Sequence, residues 1–130
     1  MRYRLWLTQE RVGCGQFRVV LERFAALGLE VHLTELDVVP TDPNVLAAAD
    51  PAAALAEIYA GVVTGCLVVP ACRCVSTWGF TDQFNRWAMD APLAPPGAFY
   101  YDADLRPKAA REAVAQVLGE AAMQSPGGAH

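Results

Sequence analysis

Apolar and polar positions along this chain fall into alternating helical and extended stretches. From Gln16 onward, Phe17, Val20, Leu21, Phe24 and Leu27 recur at three- and four-residue spacing, one helical stripe, and Gly28 offers a left-handed stop. A short apolar run, Leu29–Thr34, follows at once and leads into Glu35-Leu36-Asp37; it reads as a buried parallel strand of the kind that helices cover. Pro40 and Pro43 punctuate a loop from Val38 to Asn44. Asp50-Pro51 reads as an N-cap with proline at the first helical position, and Leu55, Ile58, Tyr59, Val62, Val63 and Cys66 form one stripe that Pro70 ends. Cys72 to Trp78 is a second short strand, closed by Gly79. Residues 80–98 are proline-rich and aperiodic, a long loop of the kind that tends to carry function. Pro107 opens a last helix with Ala110, Ala113, Val114, Val117 and Leu118 inward, and Gln124 to His130 is a frayed tail. At the other end, Tyr3, Leu5 and Leu7 alternate like a strand until Gly13 and Gly15 interrupt them.

The order helix, strand, helix, strand, helix, with short connections, predicts right-handed α/β units. Two such strands cannot bury their own faces or edges, so the pattern points to a piece of a larger sheet or barrel. Length and composition agree with one domain-sized piece: 130 residues, 54% of them hydrophobic. A charged fraction of 18% at net charge −4, with scattered basic residues, excludes disorder and a nucleic-acid surface. No apolar window is long enough to span a bilayer; the alanine-rich stretch from Ala52 is broken by Glu57. Arg2 and Arg4 precede too short an apolar run for a cleavable signal, so the expectation is a chain that stays where it is made or begins upstream of Met1.

The candidate chemistry centres on Glu35, at the carboxyl end of the first strand, with Thr34 and Asp37 beside it. In barrels of parallel strands that end holds the reacting groups, which makes Glu35 a candidate nucleophile or proton carrier; the alternative is a capping or loop carboxylate. His32 is most simply a packed strand residue bonded to a neighbour. Of the four cysteines, Cys72 and Cys74 form C-x-C with no histidine nearby, so neither a metal site nor a cofactor is expected. Cys66 and Cys72 flank a proline-containing turn, which suits either a local disulfide in an oxidising compartment or two buried free thiols.

Three segments in order resemble the C-terminal part of the glycoside hydrolase family ten endo-1,4-β-xylanases. Gln16 to Asp37, with its TELD strand, looks like the family's sixth helix and seventh strand. Tyr59 to Asp82, with Cys66-Leu67, Pro70, Cys72 and then Val75-Ser76-Thr77-Trp78-Gly79-Phe80-Thr81-Asp82, is similar to the seventh helix, eighth strand and following loop. Tyr101 to Lys108 matches the approach to the last helix. The resemblance covers residues 16–122, leaves 1–15 unmatched and makes 123–130 a disordered tail. It implies a C-terminal fragment, about strands seven and eight with helices six to eight, of an eight-stranded (β/α) barrel. It implies too a retaining enzyme that cleaves xylan with two carboxylates about 5–5.5 Å apart. Glu35 matches the family's nucleophile. Trp78 matches an aromatic that packs on the sugar, against the alternative of a core indole, and Trp87 a lid aromatic over it. Cys66 and Cys72 match a helix-to-strand disulfide. The implied partners are xylan or xylo-oligosaccharides and the missing N-terminal part of the barrel, with no nucleic acid and no membrane, in an extracellular setting.

Departures shape the expectation. The family's acid/base glutamate lies in a W-x-V-V-N-E-type motif that nothing here matches, and the histidine supporting the nucleophile has no counterpart. Asn85-Arg86 precede Trp87 where a Ser-Trp pair is usual, and Ala109 and Arg111 replace a proline and a tyrosine. Asp37 could share a strand face with Glu35, yet two groups on one strand cannot flank a glycosidic oxygen. Asp82 reads as a loop-ordering side chain. The expectation is therefore the nucleophile half of a xylanase site, inactive as an isolated chain. The alternatives are a truncated barrel fragment with residual sugar binding, or an unrelated small α/β domain.

Overall fold

The computed structural model describes residues 14–36, 38, 45, 47–84 and 99–124. They build, in chain order, α1 (Cys14–Ala26), β1 (Val31–Leu36), α2 (Pro51–Leu67), β2 (Cys72–Thr77), a 3-10 turn (Asp82–Phe84) and α3 (Ala109–Gln124). The strand-like run near the N-terminus, most of the Val38–Asn44 loop and residues 85–98 lie outside the described residues.

α2 is the hub. Asp50 caps it, its Oδ1 accepting from the N–H groups of Ala52 at 3.0 Å and Ala53 at 3.1 Å, and Pro51 occupies a position where no N–H is needed. Leu55, Ala56, Tyr59, Val62, Val63 and Cys66 are buried over a wide arc because α2 packs on α1, α3 and β2 at once. A side chain at Gly65 would place its Cβ 2.9 Å from the Phe17 ring, so the glycine lets α1 approach. Tyr59 is fully buried, its ring centroid 4.9 Å from that of Tyr100.

Gly28, at φ +73°, closes the turn after α1, its N–H donating to the Ala25 carbonyl at 2.9 Å. Leu29 still donates to the Phe24 carbonyl at 3.3 Å, which is why β1 starts at Val31 rather than Leu29; it then continues to Leu36. β1 pairs with β2 in parallel, and α2 crosses between them. β1 is less buried than expected: Val31 and Leu36 are covered by the helices, Leu33, Thr34 and Glu35 are half-buried, and His32 is exposed.

The last helix also differs from expectation. Pro107 forms a bridge with Tyr101, and Lys108 spends its N–H on the Tyr100 carbonyl and accepts from Glu112. The helix therefore opens at Ala109. Ahead of it, Asp102 Oδ1 accepts from the N–H groups of Asp104 and Arg106, a tight turn that holds Leu105 at φ 63°. Ala110 and Val114 face the core, but Leu118 is 48% exposed rather than inward. Met123 and Gln124 complete α3 and are not tail. No helix among the described residues is long and apolar enough to cross a membrane.

Cys66 and Cys72 are joined by a disulfide with Cα atoms 5.2 Å apart, tying the last turn of α2 to the start of β2. Closing so short a loop stabilises by about 2 kcal/mol in the chain-entropy account. Reduction, or Cys72→Ser, is expected to lower the unfolding free energy by about that amount, read as a shifted urea midpoint.

Candidate functional site

A slip in the pleat of β1 aims Glu35. Val31, Leu33 and Leu36 all join the apolar core under the helices, whereas strict alternation from Val31 would send Glu35 there instead of Leu36. Leu33 pairs with Val75 and Leu36 with Thr77, so β1 carries one more residue than β2 in that interval. Alternation back from Leu36 then turns Glu35 to the face away from the helices, near the carboxyl end of the strand. Bulges that re-aim side chains in this way recur beside reactive sites. β2 slips too, with Arg73 as the extra residue between the Val31–Cys72 and His32–Cys74 pairs.

Trp78 arrives at the same end. Its N–H donates to the Leu36 carbonyl at 3.2 Å, so the residues following Glu35 and Thr77 are hydrogen-bonded neighbours. Trp78 is half exposed and Glu35 is half-buried. Of the residues singled out in the sequence, Glu35 and Trp78 thus stand at the same end of the sheet, while Trp87 and Asp37 lie outside the described residues. His32 is not packed: its side chain is half exposed near the start of β1, with Nε2 4.0 Å from Glu30, which also faces Arg73 at 3.7 Å. No cluster of three or more metal-binding side chains occurs among the described residues.

The chain beyond Trp78 is held by polar contacts that hydrophobic patterning does not reveal. Asp82 Oδ2 pairs with Lys108 Nζ at 2.7 Å, and its Oδ1 accepts from the Phe99 N–H at 3.1 Å. The buried Thr81 hydroxyl donates to the Asp102 carbonyl at 2.7 Å. Asp82 is therefore a loop-ordering group with both oxygens engaged, as its sequence context suggested. Gly79 is needed where it stands, since a Cβ there would lie 2.9 Å from the Phe99 ring. Phe80 meets Tyr101 edge-on, with ring centroids 6.3 Å apart. Burial pushes the Tyr100 phenol above its ordinary pKa. Hydrogen bonding to Tyr101, then the charge of Glu112, raises that of the Arg111 guanidinium.

Chemically, the arrangement offers a carboxylate and a broad apolar ring at the carboxyl ends of two parallel strands. That pairing suits a polar, ring-shaped ligand with an apolar face.

Comparison with known proteins is consistent with this geometry. The profile of the family described as glycosyl hydrolase family 10 matches residues 5–117, starting inside the segment that the motifs alone left unmatched. The chain is 37% identical over 106 residues to endo-1,4-beta-xylanase 5 of Pyricularia oryzae, covering 82% of this chain and 25% of that protein. It is 32% identical over 105 residues to endo-1,4-beta-xylanase B of Thermotoga neapolitana, covering 80% and 29%. Among solved structures, native xylanase 10B of Thermotoga maritima superposes with a TM-score of 0.72 at 28% identity, covering 88% of this chain and 34% of its own. Xylanase 10B of Thermotoga petrophila, solved with xylobiose, gives 0.70 at 33% identity, covering 84% and 32%. The chain thus spans about a quarter of the curated relatives' length.

Asp82→Ala strands the Lys108 ammonium and the Phe99 N–H together. It is expected to destabilise the fold by about 2–4 kcal/mol in urea titration, with Asp82→Asn losing less because its carbonyl still accepts from Phe99.

Proposed function

The chain belongs to glycosyl hydrolase family 10, and on that premise we propose that it carries the nucleophile half of a retaining endo-1,4-β-xylanase site, on strands seven and eight of the barrel. The observation that carries the reading is the re-aimed Glu35 beside Trp78 at the carboxyl ends of β1 and β2. In this reading a Glu35 carboxylate oxygen attacks the anomeric carbon of a xylose unit. The bond to the leaving sugar's oxygen breaks as that oxygen takes a proton from an acid outside this segment, leaving a glycosyl ester on Glu35. Water, deprotonated by the same group, then attacks the anomeric carbon and frees Glu35. Trp78 lends its ring to the apolar face of the sugar, and Trp87 is a second platform. The substrate class is xylan and xylo-oligosaccharides, in line with the xylobiose complex of the Thermotoga petrophila relative. A polymeric substrate and the Cys66–Cys72 disulfide both favour action outside the cell.

A second reading, a sugar-binding piece without turnover, draws support from Asp82: the carboxylate that follows Trp78 is committed to Lys108. Two measurements test what the readings share, sugar binding without turnover by the chain alone. Purified chain incubated with xylan is expected to release no reducing sugar above background, because general acid–base help alone contributes roughly 10²–10⁴-fold. Xylobiose is expected to change tryptophan fluorescence saturably, and Trp78→Ala to remove most of that response. Turnover by the chain alone, abolished by Glu35→Gln, would overturn the half-site reading.

A further inference from the structure

Trp78 is followed by Gly79, and glycine is the residue at which a backbone turns most freely. Among the described residues the Trp78 side chain stands outside the buried cluster under the helices. The Trp78 N–H on the Leu36 carbonyl fixes one point, about which the residues that follow could still swing. Phe99 closes that freedom. It is 2% exposed, and the far edge of its ring lies on Gly79: a Cβ there would stand 2.9 Å from Cζ, 3.2 Å from Cε2 and 3.3 Å from Cε1. Of the described glycines Gly28 alone has a positive φ, so position 79 needs glycine for close approach and not for its backbone angles.

Phe99 is itself braced. Its N–H donates to Asp82 Oδ1 at 3.1 Å, while Lys108 holds the other oxygen of Asp82. Tyr100, the next residue, packs its ring on that of Tyr59 at the centre of α2. The Tyr101 N–H donates to the Phe80 carbonyl at 3.0 Å, and the Tyr101 carbonyl accepts from the Asp82 N–H at 2.9 Å. Residues 80–82 and 99–101 therefore run side by side, and a strut leads from the buried hub helix through Tyr100 and Phe99 to the residue after the indole.

We propose that Phe99 is a positioning residue for Trp78: its ring takes up the freedom of Gly79 and so sets the angle at which the indole meets a sugar. The proposal rests on the sugar-platform reading above. Phe99 acts through Gly79, and Asp82 and Lys108 act one step further back by holding Phe99. A stacking ring gains affinity when its orientation is set before the ligand arrives, because binding then does not have to order it.

The chain holds Trp6 and Trp87 besides Trp78, so Trp6→Phe with Trp87→Phe leaves one indole to report. Its fluorescence anisotropy decay reads orientational freedom with no ligand present. In that background Phe99→Leu, which deletes the ring carbons that meet Gly79 and keeps an apolar side chain, is expected to enlarge the fast decay. Gly79→Ala, which pushes the backbone off an intact ring, is expected to do the same. Combining the two makes room for the methyl group and is expected to restore much of the original order. Val114→Ala, at a buried position of α3, should lower the unfolding midpoint and leave the decay unchanged, a split that lost stability alone does not produce. With all three tryptophans present, Phe99→Leu is expected to weaken xylobiose binding about threefold to tenfold. An unaltered decay in both single variants, or an equal change in Val114→Ala, would overturn the positioning role. So would xylobiose binding that Phe99→Leu leaves as tight as before. Decays that change as expected in a chain that binds no xylobiose would sink the sugar-platform reading and leave the hold of Phe99 on Trp78 standing.

Discussion

Burial of α2 is the constraint from which the rest of the molecule follows. Its apolar arc is wide enough to need cover from α1, α3 and β2 together, and Tyr59 at its centre is wholly removed from water. Apolar area buried at roughly 25 cal/mol per Å² is the main favourable term for so small a unit. Because α2 also crosses from β1 to β2, satisfying its surface places the two strands side by side and parallel. The disulfide at its last turn then leaves β2 little freedom to shift along its length.

On that frame, the site is assembled by polar and backbone detail. Glu35 owes its direction to a one-residue slip, and a hydrogen bond onto the Leu36 carbonyl holds the Trp78 backbone at the same end. The segment after Trp78 owes its path to Asp82, whose two oxygens join the 3-10 turn to Phe99 and Lys108. These are short contacts between residues far apart in sequence. They convert a generic α/β unit into one with a defined rim.

How legible this was in the sequence depends on which kind of force set each element. Helices and strands set by apolar spacing were readable: the α1 stripe as far as Phe24, the α2 stripe, the Asp50-Pro51 start and the Gly28 stop stand where the pattern put them, whereas Leu27 lies beyond α1 and is exposed. Boundaries set by individual hydrogen bonds were not. Leu29 stays with α1 through Phe24, and Lys108 holds the start of α3 two residues beyond Pro107. His32 reads as packed from its place in an apolar strand, yet its side chain stays half exposed beside Glu30. The partnership of Asp82 with Lys108, across 26 positions, leaves no periodic trace. The pairing of Glu35 with Trp78 was accessible only through family motifs, because periodicity alone predicts the wrong face for Glu35.

The two bulges have a joint effect. β2 gains a residue near its start and β1 gains one near its end, so Val31 meets Cys72, Leu36 meets Thr77, and both strands advance equally between those pairs. The irregularities cancel in length but not in rotation. Such a sheet keeps its outline while a few central positions swap sides. The unit can thus re-point a functional group by trading one extra residue between partners, without disturbing the helices that cover its apolar face.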